Sequence, residues 1–123
     1  MTIVGIDHVQ VAAPPGCECD ARRFFCGLLG LTELSKPAAL AERGGAWFAL
    51  GSGQQLHVGV EQDFAPARKA HPALVVSGDG LEALAERLVE AGCEVRRDSS
   101  IPGVARLYVD DPWGNRLELV AES

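Results

Sequence analysis

The sequence predicts an α+β domain made of two tandem βαβββ modules that together form a curved mixed-sheet cup, and three observations predict it. Segments with the period-two alternation of strands and segments with helical spacing follow one another in the same order twice. Equivalent residues recur at a nearly constant offset: 60 from Ala21 to Leu81, 61 from His57 to Glu118, 62 from Gly30 to Gly92 and 63 from His8 to His71. Such an offset through helix, glycine and strands marks a duplication. Finally, with 123 residues in all, neither half has enough chain to cover its own sheet, so the two pack as one domain. Module one runs over about 1–61, a linker over about 62–70, and module two over about 71–123.

Taken in order, Ile3 to Val11 reads as a strand, with Val9 and Val11 on one face and His8 and Gln10 on the other. Pro14, Pro15 and Gly16 mark a loop. Asp20 then caps a helix whose Ala21, Phe24, Phe25, Leu28 and Leu29 share a face, and Gly30 ends it. Leu31 to Leu34 is a short strand, 35 to 45 is irregular, and Ala46 to Leu50 with Gln55 to Glu61 makes a hairpin across a Gly-Ser-Gly-Gln turn. In the second half, Pro72 to Val76 is a strand and Asp79 a cap. Leu81, Leu84, Ala85, Leu88 and Val89 repeat the helical face, and Gly92 closes it. Glu94 to Arg97 is a short strand. Ala105 to Val109 and Arg116 to Val120 form a hairpin across Asp110-Asp111-Pro112-Trp113-Gly114-Asn115.

The bulk composition narrows the function classes. Hydrophobic residues make up 47% and charged residues 23%, an ordinary globular balance. A net charge of −6 argues against nucleic acid and against an anionic membrane surface as partners. No apolar run is long enough to cross a bilayer, and the N-terminal residues lack a basic region followed by a cleavage site, so a cytoplasmic location is expected. Cys17 and Cys19 form a C-x-C with no second pair or histidine nearby to complete a tetrahedral metal site. Cys26 sits in the first helix as a small core residue, and with Cys93 the four cysteines form no disulfide framework.

The chemistry lies in the histidines. The chain has three, and all occupy repeat-equivalent places: His8 and His71 at the first strands, His57 on the last strand of module one. The place equivalent to His57 in module two holds Glu118, because Leu56-His57-Val58 matches Leu117-Glu118-Leu119. If the first and last strands of a module are neighbours, opposing side chains stand roughly 5 Å apart. Two such pairs facing one another across a curved sheet would meet at one point. Imidazoles and a carboxylate suit one divalent ion such as zinc, nickel, iron, cobalt or manganese. Four protein ligands would leave a six-coordinate ion two open positions for a substrate with adjacent oxygens, which the metal would polarise.

Three segments carry a resemblance to a known family across nearly the full length. They are Ile-Asp-His8-Val-Gln-Val, Phe-Phe-Cys-Gly-Leu-Leu-Gly-Leu at 24–31, and above all Tyr-Val-Asp-Asp-Pro-Trp-Gly-Asn-Arg-Leu-Glu118-Leu-Val at 108–120. In these the chain resembles the vicinal oxygen chelate superfamily of glyoxalases, bleomycin-resistance proteins and extradiol dioxygenases. The resemblance implies paired βαβββ modules around a metal, with ligands on the first and last strands of each: His8, His57, His71 and Glu118. One departure stands out. Glyoxalase I and related epimerases usually carry Glu or Gln at the place of His57, so Glu118 is the one carboxylate base left in the expected ligand set.

The function expected from this is a metal-dependent glyoxalase-like lyase or isomerase, in which Glu118 is ligand and proton carrier. Gln10 would orient substrate, and Trp47, Tyr108 and Trp113 would line the cup. One alternative is an extradiol-type dioxygenase with His8, His71 and Glu118 on iron and His57 set back. Others are a protein that sequesters an antibiotic or other small molecule, and a thiol transferase of the fosfomycin-resistance kind, for which no distinct anion-binding loop is visible. A homodimer is expected, because each half has bare sheet edges and family members often build their cups between chains.

Overall fold

The computed structural model describes residues 2–123; Met1, the first residue of the expected module one, lies outside the described residues. The chain divides into two compact units, Met1–Ala65 and Pro66–Ser123, with the boundary inside the segment read as a linker.

Unit one contains β1 (His8–Ala13), α1 (Glu18–Ala21) running on into a wide-turned segment Arg22–Leu28, β2 (Thr32–Leu34), α2 (Ala38–Ala41), β3 (Ala46–Ala49) and β4 (Gln55–Val60). Its sheet has the order β1-β4-β3-β2, with β1 and β4 parallel and the other pairs antiparallel. Phe48, Leu56 and Val58 point to the helix side and are buried with Ala21, Phe24 and Phe25. The rings of Phe25 and Phe48 stand 5.2 Å apart and join helix to sheet. Unit two repeats the plan with β5 (Ala73–Val76), α3 (Leu81–Glu90), β6 (Arg96–Asp98), β7 (Arg106–Asp110) and β8 (Arg116–Ala121), in the order β5-β8-β7-β6. Again the first and last strands run parallel. Leu81, Leu84, Ala85 and Leu88 of α3 are buried, as are Leu107, Val109, Leu117 and Leu119 of the sheet. The α+β class and the two tandem modules of mixed sheet are therefore as the sequence predicts.

Several local expectations differ. The first strand begins at His8, not Ile3; Ile3, Val4 and Ile6 are exposed. Their alternation looks like a strand, but β4 starts at Gln55 and offers no strand partner further back; the last main-chain bond is the Gln55 amide on the Asp7 carbonyl. The first helix begins at Glu18 behind Cys17, so Asp20 falls in the first turn and pairs with Arg23 instead of capping. Over Arg22–Leu28 the helix opens to bonds spanning five residues, as from the Leu29 amide to the Phe24 carbonyl, a rare turn type. The second helix is preceded by Gly80 with no side-chain cap, so Asp79 does not cap it. Within 35–45 lies the single turn of α2, and Gly44-Gly45 after it lets the chain enter β3. Gly45 has φ +83°, and a Cβ there would stand 2.1 Å from the Val58 carbonyl oxygen.

Candidate metal centre

In each unit the sheet face turned away from the helix carries the polar side chains. In unit one His57 is on β4, the middle strand of the three that hold the pair, so it has neighbours on both sides. Trp47 is its cross-strand partner on β3, and the two rings lie flat on each other at 4.1 Å and 4°. On the other side is β1, where Gln10 and not His8 is the partner in register; His8 is two residues back, opposite Gln55. The His8 ring nevertheless leans onto His57 at 4.1 Å and 16°. The stack His8–His57–Trp47 leaves His57 only 5% exposed. Burial first, and then the positive charge of His8 and of Lys36, hold its imidazole below its ordinary pKa. The Nε2 of His57 donates to the Gln55 side-chain oxygen at 2.8 Å, which leaves Nδ1 unused by that bond.

Unit two has the same arrangement with a carboxylate. Glu118 on β8 pairs with Ala73 of β5, and His71 lies two residues before Ala73, as His8 lies two before Gln10. His71 thus precedes its strand instead of opening it. Its Nε2 stands 3.1 Å from Glu118 Oε1. Arg106 on β7 donates to Glu118 Oε2 at 3.0 Å, while its other nitrogen reaches Ser100 and Asp98 at 2.9 and 3.1 Å. Tyr108, opposite Glu118 on β7, meets the His71 ring edge-on and takes a bond from Arg106. Burial raises the Glu118 carboxyl, but the hydrogen bonds from Arg106 and His71 and their charge outweigh it, and its pKa is lowered.

The two first-position histidines are fixed in the same way. His71 Nδ1 is 2.8 Å from the Lys69 carbonyl oxygen, and His8 Nδ1 is 2.9 Å from Asp7 Oδ2. A carbonyl or carboxylate only accepts, so both histidines carry a proton on Nδ1 and present Nε2. Histidines that hold metals are anchored in this way by the other nitrogen. For His71 a further consequence follows. In the neutral ring Nε2 is a lone pair facing the lone pairs of Glu118 Oε1, and the contact requires either a second proton or a cation between them. Two donors about 2.1 Å from one ion and at right angles around it lie about 3.0 Å apart, close to the observed spacing. The donor chemistry and this spacing fit a divalent metal. Among the described residues no three His, Cys, Asp or Glu gather into a group that could hold a metal; each unit holds a pair of its own.

Of the other expected residues, Gln10 lies across β4, where a Cβ at Gly59 would come 2.7 Å from its Nε2. Trp47 and Tyr108 are on the polar faces, Trp47 with His57 and Tyr108 with His71. Trp113 is in the β7–β8 turn, off the strand face, its amide bonded to the buried Asp111 carboxylate. Sequence reading missed Arg106, Gln55, Asp7 and Lys36. The signal for Arg106 was present: with Tyr108 it alternates against Leu107 and Val109, which puts it on the face of Glu118.

Comparison with known proteins gives a consistent result. The family model described as glyoxalase-like domain matches residues 19–120. No curated protein sequence matches. Among solved structures, a protein described as a glyoxalase family member from Bacillus anthracis is 47% identical, with a TM-score of 0.93, over 100% of this chain and 98% of that one. A glyoxalase/dioxygenase from Nostoc punctiforme is 20% identical at TM-score 0.82, over 99% and 93%. A variant of the fosfomycin resistance protein FosX from Listeria monocytogenes is 15% identical at TM-score 0.78, over 99% and 93%. That protein is complexed with Mn(II) and 1S,2S-dihydroxypropylphosphonic acid. At those two identities the likeness is one of fold.

Proposed function

The chain belongs to the glyoxalase-like domain family, within the vicinal oxygen chelate superfamily, and from that premise we propose that it is a divalent-metal-dependent enzyme acting on a small substrate that chelates the metal through adjacent oxygens. His8, His71 and Glu118 are the ligands, with His57 as the fourth. The ion belongs to the zinc, nickel, iron, cobalt and manganese group, and Mn(II) in the Listeria relative agrees with that range. The observation that carries the reading is His71 Nε2 standing 3.1 Å from Glu118 Oε1, with the ring locked by the Lys69 carbonyl.

The bound metal would supply a Lewis acid for the substrate oxygens. The chain's own residues do the rest. Glu118, held anionic by Arg106, takes up a proton from the substrate carbon and returns it. Gln10 orients substrate beside His57, and Trp47 and Tyr108 wall the polar faces. Metal analysis of protein purified without chelator, followed by a panel of 2-oxo and 2-hydroxy carbonyl compounds, tests the reading. Stoichiometric metal and turnover support it; no metal in wild type after incubation with zinc or manganese refutes it.

A second reading, the three-ligand dioxygenase, draws on one observation: His57 is committed to the stack and to Gln55. Catechol cleavage with oxygen uptake by the iron-loaded protein would favour it. The same proposal takes the protein as a cytoplasmic homodimer, which light scattering of the purified protein addresses.

A further inference from the structure

Beside the histidine pair, unit one contains a cavity of about 260 Å³ lined by Gln10, Lys36, Leu40, Arg43, Gly44, Trp47, Val58, Gly59 and Val60. It is smaller than the roughly 300–1,000 Å³ of drug-sized pockets and suits a small ligand. Its lining mixes apolar and basic residues. Leu40, Trp47, Val58 and Val60 are the apolar ones. Lys36 and Arg43 bring two positive charges, and no carboxylate is among the described residues that line it. Glu18, beside Gly44, turns its Oε2 to the Gly45 amide at 2.6 Å, and that bond holds its pKa low. Lys36 is tied to the Gly44 carbonyl, so its ammonium is set at the rim, and its charge is felt at His57. At Gly59 any side chain would strike Gln10, and at Gly44, φ +75°, a Cβ would meet Val60 and Glu18 at 3.0 Å.

From this lining we infer that the cavity is a subsite for an anionic group, a carboxylate or phosphonate, carried on a short apolar stem by the substrate. The two lining cations, Lys36 and Arg43, bind the anion, and the apolar lining residues Leu40 and Trp47 take the stem. Trp47 and Gln10 belong both to this lining and to the surroundings of His57. The charged end of a ligand seated there leaves its other end directed to the histidines. The substrate class of the proposed enzyme is then a small acid whose chelating oxygens lie a few bonds from its anionic end. That last step rests on the metal-dependent reading; the subsite itself does not.

Nitrogen-15 amide spectra of the metal-free full chain, titrated with butyrate, propylphosphonate or neutral butyramide, test it. The amides of Gly44, Gly45 and Gly59 report on the cavity. Saturable shifts of these amides with either anion and much weaker ones with butyramide are expected, the better anion telling carboxylate from phosphonate. Arg43→Gln should weaken the anion about tenfold, the loss of one charge-assisted hydrogen bond, and Lys36→Met with Arg43→Gln should weaken it further. Butyramide binding as well as butyrate, or anion affinity unchanged in a folded Arg43→Gln protein, overturns the inference. A zinc titration of the same proteins separates the two ideas. Zinc binding intact in Arg43→Gln with anion binding lost supports the subsite. No zinc binding in wild type, with anion binding retained, removes the metal reading and leaves the subsite standing.

Discussion

Trp47 lies flat on His57, ring centre to ring centre 4.1 Å and within 4° of parallel, while His8 covers the other side of the same imidazole. A nitrogen in such a stack reaches a metal only if the ring tilts or the neighbours give way. In a Trp113→Phe protein, where Trp47 is the one indole, zinc addition should therefore shift the Trp47 emission if His57 ligates. His57→Ala should abolish the shift and weaken zinc. Calorimetric zinc binding with unmoved Trp47 emission would leave His57 outside the ligand set and support three ligands.

His71→Ala and Glu118→Ala should each lose the metal. Even residues that only orient ligands cost roughly 10 to 100-fold in affinity, and removing a ligand costs more. Elemental analysis after gel filtration checks this; full occupancy in either variant would remove that residue from the centre.

Arg106 bridges Glu118 to Asp98 and Ser100, while its Nε is buried with no hydrogen-bond partner among the described residues. Arg106→Met leaves the Glu118 carboxylate, 12% exposed, without its cationic partner. A lower melting temperature of the metal-free protein is expected, and Arg106→Lys should recover only part of it, since one ammonium cannot fork between Asp98 and Glu118. Full recovery with Lys would show that charge alone matters.

Glu18 gives the pH dependence. Its carboxylate accepts the Gly45 amide, the largest of the influences that lower its pKa. A lowered folded-state value means stability that is complete above the ordinary value of 4.5 and lost as pH falls through the folded-state value. Glu18→Gln should cost about 1 kcal/mol at pH 7, below the roughly 1.5–3 kcal/mol of a bond to a charged group because the carboxylate is partly exposed to water. The gap to wild type should narrow in urea unfolding at pH 3. An equal gap at both pH values would mean that the carboxylate charge contributes nothing.

Gly45→Ala should be among the most disruptive single changes. It combines a left-handed backbone with a Cβ 2.1 Å from the Val58 oxygen, in main chain that has no room to shift. A loss above about 2 kcal/mol, or insoluble protein, is expected.

The module plan was legible because alternation on β4, β7 and β8 separates Leu56 and Val58, Leu107 and Val109, and Leu117 and Leu119 from the polar face without ambiguity. What escaped had physical reasons. Residues 3–7 alternate like a strand, yet pairing, not pattern, makes a strand. The wide turns of Arg22–Leu28 bury Phe24 and Phe25, which a regular helix would also turn inward, so spacing cannot reveal them. Lys36 and Arg43 lie in a stretch without periodicity, and only the fold brings them to one cavity. Arg106 reads as a surface cation until Glu118 is seen across from its strand.

The two histidine anchors differ in what evolution can reach. Asp7, 92% exposed, holds His8 by a side chain, and one codon change releases that ring. His71 is held by the main-chain oxygen of Lys69, which no substitution of Lys69 deletes. The first half of the protein can thus drift toward new donors and new chemistry while the second keeps its histidine oriented, an asymmetry that a perfect duplicate would not have had.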